Sequence, residues 1–202
     1  MRDYLALAVS LGLASGLTPG PLLTYTIVAT LRSGWKAGVS VGIAPLITDV
    51  PIILLSLLVL HFLPPIALRL VGIIGGLFII YLGLETIRSA QHVQDMRLEA
   101  KVNLRQEMGR GVLVNFLNPN PYLFWGTVGG PLLIRAYRDA PLDAGAFLGV
   151  FYVLLVGSHV GLALLVHRQR DFLRGVWYKR ILWALGFILI LIGVRLVWQQ
   201  IG

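Results

Sequence analysis

Two ionisable side chains stand deep inside long apolar stretches of this sequence. Asp49 lies between Pro45 and Pro51 in the run 37–62, and His159 lies in the run 143–167. A carboxyl group in such surroundings is held at a cost of several kcal/mol, to order of magnitude, which makes it a functional candidate by default. It can carry a proton or meet an ammonium group. His159 can relay that proton, or serve only as a hydrogen-bonded packing residue. Two proline motifs accompany them, Thr18-Pro19-Gly20-Pro21 and Asn118-Pro119-Asn120-Pro121, both again within apolar runs. Each proline removes a backbone donor and disfavours helix in the residue before it, so each motif is expected to break a helix. A restarted helix presents N–H groups and a positive dipole end, while the interrupted one presents carbonyls and a negative end. A zwitterion finds partners for both of its charges there. The first helix is expected to stop near Leu17 and restart at Pro21, and Asn120 to cap a second restart at Pro121. Asn115, Asn118 and Thr18 are neutral polar groups beside the breaks, suited to satisfying freed backbone.

The elements that position these residues follow from composition. Of 202 residues, 57% are hydrophobic and 13% charged, and the mean hydropathy is +0.81. A soluble domain is roughly 45–50% apolar and about 25% charged. The sequence therefore reads as an all-α integral membrane protein with six spans, at about 4–31, 37–62, 66–88, 110–134, 143–167 and 178–198. Continuous apolar runs without a period of two argue against a β-barrel. Residues 4–16 read as part of the first span and not as a cleaved signal peptide. The absence of cysteine excludes disulfides, iron–sulfur clusters and zinc ribbons. The net charge of +8 suits cytoplasmic loops better than nucleic acid. Loops 1–2, 3–4 and 5–6 hold twelve lysines and arginines against four on the other side. Those loops are expected in the cytoplasm and both termini outside.

Self-similarity organises the chain further. The two proline motifs are 100 positions apart, and Asp49–Leu55 precedes His159–Leu165 by 110. At that second offset Gly76 and Gly83 meet Gly186 and Gly193. Residues 1–88 and 110–202 read as two copies of a three-helix unit joined by a cytoplasmic connection over 89–109. An odd span count makes the second copy inverted in the bilayer, the design of many secondary transporters. Helices 1 and 4 are then the broken ones. Non-helical backbone at membrane depth survives only when buried in protein or lining a wet cavity. Glu85 and Arg195, near the ends of spans three and six, are expected to snorkel or to pair with each other. The glycines of those spans serve close helix packing.

Thr18-Pro19-Gly20-Pro21, with Arg32–Gly38 and Gly42–Asp49 after it, resembles the opening signature of the LysE/RhtB amino-acid exporters. Asn115-Phe116-Leu117-Asn118-Pro119 is similar to that family's second signature, and Gly76–Gly83 to its third-span pattern. Asn120-Pro121 departs from the lysine that usually follows Asn-Pro, and Thr48-Asp49-Val50-Pro51 departs from a glycine-rich run. The resemblance implies a bacterial inner-membrane exporter of amino acids or related small metabolites, driven by the proton gradient. It carries over Pro19, Gly20, Pro21, Asp49, Asn118 and Pro119 as motif positions.

The expected site for a small-molecule substrate is therefore Thr18, Pro19, Gly20, Pro21, Asn118, Pro119, Asn120 and Pro121 with Asp49, and Asp49 and His159 couple protons. The expected partners are that substrate and the lipid bilayer, with a homodimer as an option and no nucleic acid. No cofactor, resident metal or enzymatic activity is expected. A divalent-cation exporter is the first rival, and it would use Asp49, His159 and backbone carbonyls. An intramembrane enzyme and a non-transporting assembly subunit are the others. No nucleophile–base–orienter set or HExxH supports the enzyme.

Overall fold

A computed structural model describes residues 2–58, 65–91, 103–169 and 176–201. Most of the expected cytoplasmic connection, 92–102, lies outside the described residues, as do four of the basic residues used to orient the chain, Arg97, Lys101, Arg170 and Arg174. Among the described residues, helix falls in each of the six expected apolar stretches, with interruptions inside three of them. In chain order the helices are α1 (Arg2–Leu17), α2 (Pro21–Ser33), α3 (Trp35–Gly42), α4 (Pro45–Leu58), α5 (Pro65–Gln91), α6 (Leu104–Phe116), α7 (Pro119–Phe124), α8 (Gly130–Asp139), α9 (Pro141–Arg168) and α10 (Val176–Ile201). A single π-helical turn, Trp125–Gly129, joins α7 to α8. Among the described residues, Trp35–Leu57, Pro141–Arg168 and Lys179–Gln200 are long and apolar enough to cross a bilayer, and α1 with α2, bent by 57°, forms a fourth such segment.

Proline sets the interruptions. α1 ends at Leu17 and α2 begins at Pro21, as the missing donors of Pro19 and Pro21 require. Pro45 likewise opens α4 after a short break at Ile43–Ala44, which the sequence reading had run through. Pro131 has no N–H for the Thr127 carbonyl, and the chain widens into the π turn just before it, closing on Gly130 N–H to Trp125 O. π turns of this kind concentrate at functional sites. The second restart departs from expectation. α7 begins at Pro119, and its cap is Asn118, whose Oδ1 accepts from Asn120 N–H at 3.1 Å. With prolines at the first and third positions, Asn120 holds the only early donor, and Asn118 satisfies it.

Packing places α2 at the centre, where nearly every residue from Pro21 to Leu31 is buried. Gly34, at φ 86°, turns the chain from α2 into α3 in a conformation that side chains resist. α1 lies on α9 through Ala8, Gly12 and Gly16, a stripe of small residues that lets the backbones close. α5 and α10 run antiparallel along a glycine seam. A Cβ on Gly76 would meet Gly193 O at 2.7 Å and one on Gly193 would meet Gly76 O at 2.6 Å; Gly83 and Gly186 repeat this at 2.6 and 2.8 Å. That register sets Glu85 beside residue 184 and Arg195 beside residue 74, about 16.5 Å apart along the axis at 1.5 Å per residue. The two do not pair. Glu85 Oε1 instead meets Arg32 at 3.2 Å and Arg110 at 3.1 Å.

Candidate functional site

Around the breaks lies a cavity of about 430 Å³, walled by α1, α2, α4, α6, α7, α9 and the π turn. Thr18, Gly20, Pro21, Asn118, Asn120, Pro121, Asp49 and His159 all line it. Seven helical segments thus bring together eight of the ten residues that sequence singled out. Pro19 and Pro119 are not in the wall; Pro119 is buried as the first residue of α7, and Pro19 is exposed beside the first break. Their role is to interrupt the helix.

Asp49 is 4% exposed and is held from three elements. Asn115 Nδ2, on α6, donates to Oδ1 at 2.9 Å; Tyr152 OH, on α9, donates to Oδ2 at 3.0 Å. Thr48 Oγ1 stands 3.4 Å from Oδ1, and Asn115 Nδ2 reaches Thr48 Oγ1 at 2.6 Å. The Trp125 indole, on the π turn, stands near the same carboxylate. A carboxylate in an apolar bundle needs such donors, because an unpaired one is costly to bury. Asn115 therefore serves the acid, where the sequence suggested that it would satisfy freed backbone. Asn118 and Thr18 do take backbone roles: Asn118 caps α7, and Thr18 Oγ1 donates to Ala14 O at 2.5 Å. At the second break Tyr122 OH donates to the Phe116 carbonyl at 2.8 Å.

His159 is 3% exposed and rests against the backbone of Gly16 and Gly42. A Cβ on Gly42 would meet the His159 Cβ at 2.8 Å, so glycine there admits the imidazole. Its Nδ1 is buried without a hydrogen-bond partner. Tyr152 and Trp125 escaped the sequence reading. Tyr152 lies seven residues before His159, two turns along one helix face, and that spacing was the available signal.

The two restarted helices differ in what they offer. α7 is closed by its own Asn118 and its prolines. α2 has Gly20 at its N-cap with no side-chain cap; Thr24 N–H bonds Gly20 O at 3.0 Å, which leaves the Leu22 and Leu23 N–H groups to the cavity. Ser15 adds one hydroxyl, and most of the remaining wall is apolar, with Leu11, Leu155, Phe124, Trp125 and Phe151. The last three rings pack with centroids 5.2–5.4 Å apart.

A second polar cluster ties α2, α5 and α6 together away from the cavity. Besides the Glu85 pairs, Tyr25 OH donates to Glu107 Oε2 at 2.9 Å, and Arg110 stands 3.8 Å from Glu107 Oε1.

Apolar helices interrupted around a largely apolar cavity with a few polar groups in its wall suit a multi-pass membrane protein. The chain belongs to the LysE type translocator family, whose model matches residues 13–200. It is a transporter by that membership. No curated protein and no solved structure matches it.

Proposed function

We propose that this chain is a secondary transporter that exports amino acids or related small zwitterions across the bacterial inner membrane, coupled to protons. The observation that carries the reading is the single cavity in which both helix breaks, Asp49 and His159 meet. Asp49 takes the proton or the substrate amine, and His159 relays. Two inverted three-helix units, 1–88 and 110–202, rock about this site with both termini on the periplasmic side.

Contacts across the bundle support the inverted units. Exchanging numbers by 110 converts Gly76–Gly193 into Gly186–Gly83, and both are contacts. The same exchange converts Asp49–Tyr152 into His159–Gly42, again both contacts. Reciprocal pairs of this kind are consistent with a two-fold relation between the units.

Flux of labelled amino acids in proteoliposomes under an imposed pH gradient tests the proposal, with Asp49→Asn alongside. Gradient-driven flux that disappears in the variant supports it. Absent flux of every amino acid by folded protein refutes it and turns the test to divalent metals. Among the described residues no three His, Cys, Asp or Glu side chains gather as a metal site, so the cation reading rests on less.

A further inference from the structure

We infer that the cavity selects neutral amino acids with bulky apolar side chains, their carboxylate on the open N-terminus of α2, their ammonium at Asp49 and their side chain against Phe124, Trp125 and Phe151. The inference rests on the transporter reading above and narrows its substrate.

Charge in the wall decides the class. Among the described residues, Asp49 is the only acid lining the cavity, and no lysine or arginine lines it. An amino acid brings one cation and one anion. Asp49 answers the cation. Nothing ionised among these residues answers the anion, which leaves neutral donors. Ser15, Asn118 and Asn120 offer side-chain groups, and the two restarted helices offer backbone N–H groups unequally. α7 is too short and is capped by Asn118. α2 is 13 residues long, uncapped by any side chain, and buried almost throughout, so its Leu22 and Leu23 N–H groups keep their strength in low dielectric. Gly20 leaves the approach open, for a Cβ there would find only Thr18 O, at 3.8 Å.

The side chain of the substrate then falls on what remains. The aromatic corner is apolar, and a volume of about 430 Å³ lies within the range of small-molecule sites, about 300–1,000 Å³. Lysine would bring a second ammonium with no second carboxylate, and glutamate a second carboxylate with no cation. Burying either unpaired is prohibitive. Leucine, isoleucine and phenylalanine bring only surface that the rings and Leu11 and Leu155 can cover.

The test uses the full chain in proteoliposomes with labelled leucine as the probe. Unlabelled leucine, phenylalanine, lysine, glutamate and isoamylamine, which is leucine without its carboxylate, compete for its flux. Leucine and phenylalanine are expected to compete at least ten-fold better than lysine, glutamate or the amine. Lysine or glutamate moving as well as leucine overturns the substrate class and leaves the transporter reading standing. Equal competition by isoamylamine overturns the α2 carboxylate site. No flux of any amino acid removes the transporter reading itself. Gly20→Ala gives a second readout. Its backbone, at φ −142°, accepts alanine, so the melting temperature is expected to hold while the leucine KM rises ten-fold or more. An unchanged KM places the carboxylate elsewhere and overturns this part of the inference.

Discussion

Tyr152→Phe is the sharpest single probe of the site, because it removes one oxygen and leaves the ring. Phenylalanine keeps the ring packing of Tyr152 on Phe151 and Trp125, whose centroids are 5.2 and 6.3 Å away. What disappears is the 3.0 Å bond from Tyr152 OH to Asp49 Oδ2. A hydrogen bond to a charged group contributes about 1.5–3 kcal/mol. At roughly 1.4 kcal/mol per factor of ten, the step that depends on Asp49 orientation weakens about ten- to hundred-fold. The assay is gradient-driven flux in proteoliposomes, with unfolding in detergent measured in parallel. Asn115→Ala strips the other carboxylate oxygen of its 2.9 Å donor, and the two substitutions together complete a double-mutant cycle. Because both donors orient one carboxylate, their effects should fail to add, by about 0.5–3 kcal/mol. Wild-type flux in Tyr152→Phe, or strict additivity in the cycle, would refute the assignment of Tyr152 as a positioning residue for Asp49.

Other perturbations test the frame. Gly83→Leu drives a side chain into the Gly186 carbonyl, which a Cβ alone would meet at 2.6 Å; overpacking of this kind costs about 1–3 kcal/mol, read as a lower detergent midpoint. Gly109→Ala is its control, with nothing within 4 Å of the new Cβ and a gain of up to about 1 kcal/mol in helix propensity. Asn118→Ala uncaps α7 at a cost of about 0.5–2 kcal/mol, whereas Asn118→Asp keeps the midpoint; equal losses would deny the cap. Glu85→Gln weakens the contacts with Arg32 and Arg110 at 3.2 and 3.1 Å, so α2, α5 and α6 part more readily. Because the chain has no cysteine, a single Leu22→Cys reports this as several-fold faster maleimide labelling in the Glu85→Gln background, and an unchanged rate denies that the cluster holds these helices together.

Which parts of this site were legible in sequence depends on how local their causes are. Proline acts on its own helix, so the stop at Leu17 and the restart at Pro21 could be read directly. A carboxylate in an apolar run announces itself. Asn118 and Asn120 each precede a proline, and the sequence pointed to Asn120 as the cap; Asn118 takes that place because the Asn120 N–H finds its Oδ1 at 3.1 Å. Tyr152 shares a helix face with His159, yet only the tertiary fold brings its hydroxyl to 3.0 Å from Asp49 Oδ2. Trp125 is further from reach, since a π turn aims it. Glu85 and Arg195 occupy matching positions in the repeat, and an antiparallel seam separates matching positions that do not lie beside its centre.

The π turn also gives helix length and helix phase separate tolerances. Five residues, Trp125–Gly129, occupy a stretch that ordinary α-helix would cover with one fewer. A one-residue deletion inside it would restore a continuous α-helix and leave the residues on both sides in phase. The same deletion in the ordinary helix on either side would rotate everything beyond it by about 100°, the angle of one residue at 3.6 per turn. That would carry Phe124 out of the cavity wall with the backbone hydrogen bonds intact. The spare residue is thus the one place where this helix can lose length without losing phase, which a sequence aligned by hydropathy alone would not distinguish.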